Sequence, residues 1–128
     1  MSKKCTVLIV DDDKFLLDMY RKKFEQEGAT VDVAVGSDEA LTKIRDGAKP
    51  DILILDIIMP SMDGLELLEL IRKENLVPES AVIMLTNESD QERIEKAKSL
   101  GIKGYIVKAT SIPSEVVERV WEIVGINK

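Results

Sequence analysis

The 128-residue sequence contains no histidine. That absence excludes His-based general acid–base chemistry, His metal ligands and a phosphohistidine relay within the chain. There is one cysteine, Cys5, so no internal disulfide framework can form, and a reducing, cytoplasmic setting is expected. In its apolar stretch Cys5 reads as a small core residue rather than a reactive thiol. No apolar run approaches the ~20 residues that span a bilayer, so no membrane partner is expected. The start, "MSKKCTVLIVDDD", turns acidic too soon for a secretory signal. Basic residues do not predominate. The 18 Lys and Arg against 24 Asp and Glu leave a net charge of −6, which argues against nucleic acid as the direct partner. Internal repeats, low-complexity tracts and linkers are also missing. What is present is a chain of common single-domain size, 45% hydrophobic and 33% charged, able to bury a real core over residues 1–128. Any regulated output is expected from another molecule or a further domain.

Apolar runs alternate with helical patterns along the chain. "CTVLIV" (Cys5 to Val10) reads as a buried strand. Phe15, Leu16, Met19, Tyr20 and Phe24 follow at helical spacing, and Gly28 can close that helix. "TVDVAV" (Thr30 to Val35) suits a more exposed strand. Ser37 can N-cap the next helix, with Ala40, Leu41, Ile44 and Ala48 on its apolar face. "ILIL" (Ile52 to Leu55) is a third strand. Asp63-Gly64 reads as a turn before a helix carrying Leu65, Leu68 and Ile71. "AVIML" (Ala81 to Leu85) is a fourth strand. Ser89 with Glu92 forms a capping-box pattern ahead of Ile94 and Ala97, and Gly101 ends that helix. "YIV" (Tyr105 to Val107) is a fifth strand, and Pro113 opens a last helix with Val116, Val120 and Val124. Trp121 reads either as packing against the last strand or as a partner-docking anchor. Five strands alternating with five helices predict an α/β domain with one parallel sheet covered on both faces. The second and fifth strands are its expected edges, and its ligand crevice is expected at the carboxyl ends of the strands.

"DILILDIIMPSMDG" (Asp51 to Gly64) places one carboxylate, Asp56, among apolar residues, where burial is costly unless something neutralises it. The residues just past each strand suggest what does. Strand one ends in Asp11, Asp12 and Asp13, strand three in Asp56, strand four in Thr86 and strand five in Lys108. In a parallel sheet all of these reach one rim, and Asp56 is expected at its lip with apolar residues behind. Two like charges ~4 Å apart repel by ~4 kcal/mol at an effective dielectric of ~20, a cost that a hard divalent cation removes. Oxygen donors without His or Cys suit Mg²⁺. Lys108 can hold a phosphate as a point charge, and the Thr86 hydroxyl can hydrogen-bond one of its oxygens. The set suits phosphoryl transfer onto a carboxylate. Asp13, further from the strand, is assigned to capping the following helix. On residue type alone, Tyr105 reads as a fixed core aromatic.

Taken together and in order, "VLIVDDD", "DILILDIIMPSMDG", "IMLT" and "YIVK" closely resemble the receiver domain of two-component response regulators over essentially the whole chain. The resemblance implies the flavodoxin-like fold, a doubly wound sheet in the order 2-1-3-4-5. It makes Asp56 the phospho-acceptor. Asp11 and Asp12 become the acidic pair that handles Mg²⁺, Asp12 more directly, with the backbone carbonyl of Ile58 as a further ligand. Lys108 pairs with the phosphate, Thr86 turns inward on phosphorylation and Tyr105 swings in behind it. It implies a sensor histidine kinase or histidine phosphotransfer protein as donor, an output partner or domain, and no enzymatic activity beyond the chain's own phosphorylation and dephosphorylation. The switching surface would be helix four, strand five and helix five, also a candidate for phosphorylation-dependent dimers.

Three departures from the family pattern stand out. Ala109 follows the lysine where proline is usual, and a cis bond before a non-proline costs ~2.5–4 kcal/mol, so a trans Lys108–Ala109 bond is expected. Asn87 replaces a usually small residue after Thr86. Ile58 and Glu88 occupy positions expected to tune attack by water on the acyl phosphate. Two other readings remain: a phosphorylation-independent interaction module on the same fold, and a haloacid-dehalogenase-type phosphatase. The second wants an Asp two residues past its nucleophile, where this chain has Ile58.

Overall fold

A computed structural model of the chain describes residues 5–86, 91–108 and 112–125. Ten elements alternate: β1 (Thr6–Asp11), α1 (Lys14–Gln26), β2 (Thr30–Val35), α2 (Ser37–Arg45), β3 (Ile52–Asp56), α3 (Gly64–Lys73), β4 (Ala81–Thr86), α4 (Gln91–Ser99), β5 (Gly104–Val107) and α5 (Pro113–Val124). The strands form one parallel sheet in the order β2-β1-β3-β4-β5. The expected order and both expected edges are therefore observed.

The central strands are apolar end to end because each of their faces is covered. All five residues of β3 are buried. Successive side chains alternate between two cores. Leu8, Val10, Leu53, Leu55, Val82 and Met84 pack under α2, α3 and α4. Val7, Ile9, Ile52, Ile54, Ile83 and Leu85 pack under α1 and α5. Trp121 belongs to the second core, 1% exposed, its ring edge-on to Phe24 with centroids 5.2 Å apart. A surface-anchor role for Trp121 is thereby excluded; it shares its core with Ile106 of the last strand as well as with Phe24 of α1.

Local details depart from the sequence reading for physical reasons. The buried stripe of α1 is Leu17, Tyr20 and Phe24. Phe15 lies off that stripe and is 73% exposed. Ser37 does not cap α2. Gly36 holds the cap position without a side-chain bond, and Ser37 is buried inside the first turn. Ala48 falls beyond the end of α2. Cys5 precedes β1 and is half-buried, and burial raises its thiol pKa. Asp63-Gly64 is more than a turn. Asp63 caps α3, accepting from Glu66 N at 2.9 Å, while Glu66 Oε1 accepts from Asp63 N at 3.1 Å. The readings that rest on Asn87, Glu88, Ser89 and Ala109 lie outside the described residues.

Candidate functional site

Parallel pairing of β1, β3, β4 and β5 brings their carboxyl ends to one rim. Asp11 ends β1, Asp56 ends β3, Thr86 ends β4 and Lys108 follows β5 directly. Asp11 is almost fully enclosed, at 1% exposure. Its Oδ1 accepts from the backbone N–H of Asp13 at 3.0 Å, and its Oδ2 accepts from Lys108 Nζ at 2.8 Å. Its carbonyl accepts from Gly36 N at 3.0 Å. Asp12 is exposed. Asp13 turns away to cap α1, accepting from Phe15 N at 2.9 Å and Leu16 N at 3.2 Å, as expected.

Asp56 does not stand clear at the lip. It is 4% exposed. The Lys108 ammonium lies 3.4 Å from Asp56 Oδ1. Burial, reinforced by the charge on Asp11, pushes the Asp56 carboxyl up to about 7, against the opposing pull of Lys108. Burial alone would lower the Lys108 pKa, but the hydrogen bond to Asp11 and the charges of Asp56 and Asp11 leave it raised. The oddity of a carboxylate among Ile, Leu and Met thus resolves into a buried group whose cost one shared lysine offsets in part.

Backbone contacts fix Asp56 just as tightly. A Cβ on Gly64 would sit 2.1 Å from the Asp56 carbonyl oxygen, so only glycine fits there. Ile57 N donates to Leu85 O at 3.2 Å, and Gly64 N donates to Ile57 O at 2.8 Å. Ile58 follows in the β3–α3 connection with its side chain 44% exposed.

Thr86 is 1% exposed. Tyr105 pairs in register with Met84, and Thr86 lies two residues past Met84, so Thr86 and Tyr105 project from the same face of the sheet. Tyr105 is half-buried against the core under α2, α3 and α4, with the Lys98 ammonium 5.7 Å from its ring centroid. It is neither a sealed core residue nor a free one.

Three residues at or near the site were not read from the sequence as belonging to it. Gly64 was read only as half of a turn. Ser37 was read as a helix cap, but its hydroxyl donates to Met62 O at 2.7 Å. Tyr20, 3% exposed on α1, lies in the field of Lys108, Asp11 and Asp56, and burial raises its phenol pKa. A polar tip on the buried stripe of α1 was the available signal for Tyr20.

One carboxylate oxygen from each of Asp11, Asp12 and Asp56 can be chosen so that all three lie within 4.8 Å of one another. The donors are all oxygen. Fully ionised, three carboxylates and one ammonium leave two negative charges, which a divalent cation would balance. Carboxylate oxygens without His or thiolate fit Mg²⁺ and its preference for hard ligands and retained water.

A flavodoxin-like parallel sheet with an acidic, lysine-bridged pocket at its carboxyl rim defines a class: doubly wound α/β domains with an acidic site at the strand ends. Comparison with known proteins narrows it. The response regulator receiver domain pattern matches residues 7–120, and the chain belongs to that family. Its function is that of the family, phosphoryl acceptance in two-component signalling. The chain is 36% identical over 114 residues to the transcriptional regulatory protein ResD of Bacillus subtilis, covering 89% of this chain and 45% of ResD. It is thus about half the length of such relatives. Among solved structures it is similar to the chemotaxis protein CheY4 of Vibrio cholerae, with a TM-score of 0.84 and 28% identity over 94% of this chain and 99% of that one. It is also similar to the response regulator TrrA of Thermotoga maritima, solved in complex with Mg(2+)-BeF, with a TM-score of 0.76 and 30% identity over 96% and 99% of the two chains. No described helix is long and apolar enough to cross a membrane.

Proposed function

We propose that Asp56 is the phospho-acceptor of this receiver domain. An Asp56 oxygen attacks phosphorus as the nitrogen–phosphorus bond of a partner's phosphohistidine breaks, and the leaving imidazole takes up a proton. Hydrolysis of the acyl phosphate later restores the carboxylate. Asp11, Asp12, Asp56 and the Ile58 carbonyl hold Mg²⁺, whose chemical contribution is to neutralise charge on the transferring group. Lys108 moves from bridging Asp11 and Asp56 to pairing with the phosphate. Thr86 donates its hydroxyl to a phosphate oxygen, and Tyr105 follows it inward.

The observation that carries this reading is the Lys108 bridge. One buried ammonium lies 2.8 Å from Asp11 and 3.4 Å from Asp56, which holds a reactive carboxylate and a cation-binding carboxylate in one pocket. The donor is a sensor histidine kinase or a histidine phosphotransfer protein in the cytoplasm. Among the described residues, the exposed large apolar side chains are Phe15, Ile58 and Ile112. Phe15 lies in the first turn of α1, Ile58 in the β3–α3 connection and Ile112 at the N-cap of α5, so each follows the carboxyl end of a strand and offers a donor reaching Asp56 an apolar foothold. The output surface is α4, β5 and α5, read by a downstream partner, a further domain or a second copy. No enzymatic activity beyond self-phosphorylation and self-dephosphorylation is assigned, and residues 1–128 are read as one domain.

Incubation with acetyl phosphate or a phosphorylated kinase plus Mg²⁺, followed by intact-mass measurement, tests the assignment. The wild type gains one phosphoryl mass and Asp56→Asn does not. Equal labelling of both proteins would sink the assignment. Labelling of neither by any donor would favour an interaction module that works without phosphorylation.

A further inference from the structure

The β3–α3 connection, residues 57–63, starts beside the proposed acceptor and carries Ile58. Its near end is held by the bonds from Ile57 N to Leu85 O and from Gly64 N to Ile57 O, at 3.2 and 2.8 Å. Its far end is held by a side chain from another part of the chain. Ser37 Oγ donates to Met62 O at 2.7 Å across 25 positions of sequence.

Several features set this bond apart from an incidental surface contact. Ser37 is 4% exposed. A serine at a helix start ordinarily satisfies its own helix's amides, yet α2 has no side-chain cap and the hydroxyl is turned outward from the helix to the connection. Gly36, the preceding residue, donates its N–H to the Asp11 carbonyl at 3.0 Å. The Gly36-Ser37 pair therefore touches both the last residue of β1 and the segment that follows Asp56. Within that segment Ser61 has φ +68°, a left-handed conformation that costs a non-glycine residue free energy and persists only under outside restraint.

We propose that Ser37 is a positioning residue for the acidic site, its hydroxyl bracing the β3–α3 connection so that the Ile58 carbonyl keeps its distance from Asp11 and Asp12. The inference rests on the reading that Asp11, Asp12, Asp56 and Ile58 hold a divalent cation. Asp11 and Asp56 are set by sheet pairing. The Ile58 carbonyl lies inside the connection, next to the bonded Ile57, and the Ser37 hydroxyl ties the connection's far end to the β1–β2 side of the rim.

Mn²⁺ binding to the unphosphorylated full chain, followed through the free-ion electron paramagnetic resonance signal, tests it without any turnover. Mn²⁺ accepts the same oxygen donors. Ser37→Ala and Ser37→Gly, which both lack the hydroxyl, are expected to weaken binding about 10-fold, the scale seen when an outer partner of a metal ligand is removed. Ser37→Thr, which keeps the hydroxyl, is expected within about 2-fold of wild type by the same reasoning. Far-UV circular dichroism in EDTA should show all three folded at 25 °C. Wild-type affinity in the Ala and Gly variants would overturn the proposal. So would a Thr variant as weak as Ala, because packing rather than the hydroxyl would then matter. Loss of the folded state in both deletion variants would likewise assign Ser37 to the fold alone. Asp12→Asn separates the two readings. If it binds Mn²⁺ as well as wild type, the acidic-site reading itself fails. If it is impaired while the Ser37 variants are not, only the role of Ser37 falls.

Discussion

Lys108 reaches back 97 positions along the chain to Asp11, its Nζ 2.8 Å from the Oδ2, with both side chains almost wholly enclosed. The pair is more than a local contact. Asp56 Oδ1 lies 3.4 Å from the same ammonium, so one positive charge faces two carboxylates in a low-dielectric pocket. Replacing Lys108 by Met keeps volume and removes that charge. A loss of about 3 kcal/mol of folding stability is expected in EDTA, because a broken buried pair leaves an uncompensated charge. Urea unfolding with and without Mg²⁺ checks this, and added Mg²⁺ should recover part of the loss. Equal stability of the two proteins in EDTA would mean that the ammonium does not balance the pocket.

Asp56 makes stability depend on pH. Its folded pKa, about 7, lies above the ordinary value of 3.8. A raised carboxyl binds its proton more tightly in the folded state, so its contribution is most favourable below about pH 4. That contribution declines as pH rises towards 7 and is gone above it. In EDTA, wild type should therefore lose stability relative to Asp56→Asn between pH 5 and pH 8, by on the order of 2 kcal/mol. A stability difference that stays flat over that interval would contradict the burial assigned to this carboxyl.

Gly64→Ala offers a backbone test. The added Cβ would meet the Asp56 carbonyl oxygen at 2.1 Å, with the Asp56 carbonyl carbon at 2.9 Å. Both are main-chain atoms, so relief requires shifting the acceptor strand end or the start of α3. A destabilisation of about 3 kcal/mol is expected, at the high end for single substitutions, together with slower labelling by acetyl phosphate. Thermal melting and intact-mass kinetics measure the two effects. Wild-type behaviour in both would show that the close approach is easily relaxed.

Phe15 and Ile112 separate donor docking from chemistry. Both are exposed, so replacing them together by Ala should change stability by no more than about 0.5 kcal/mol. Phosphorylation by a histidine-phosphorylated donor protein is expected to slow about 10-fold, a loss of ~1.4 kcal/mol in docking, which is the scale of interface hot spots. Phosphorylation by acetyl phosphate, which needs no docking surface, should keep its rate. An equal fall with both donors would place these residues in the chemistry instead.

How much could be read without coordinates differs from group to group. Strand composition and helix spacing predicted the element order, because a strand covered on both faces must be apolar throughout and a crossover must be helical. The positions of Asp11, Asp56, Thr86 and Lys108 at strand ends were legible for the same reason. The depth of Asp56 was not, since burial of a strand-end carboxyl depends on what the neighbouring loops place over it. Phe15 was misplaced because an i, i+4 pattern in α1 admits two adjacent stripes, and only packing selects Leu17, Tyr20 and Phe24. Ser37 was misread because a helix-start serine has a local partner in prospect, and sequence holds no sign of a carbonyl arriving from Met62.

Sequence alone therefore determined the kind of protein: a parallel α/β domain with acids, a hydroxyl and an ammonium along one edge. Those features follow from period and position, which are local properties of the chain. Tertiary structure decided the electrostatics and the bracing, namely which carboxylate shares the lysine, how far Asp56 withdraws from water and which glycine and serine hold its connection. The serine and lysine contacts join residues 25 and 97 positions apart, and all of these energies depend on distances and burial that exist only once the chain has folded.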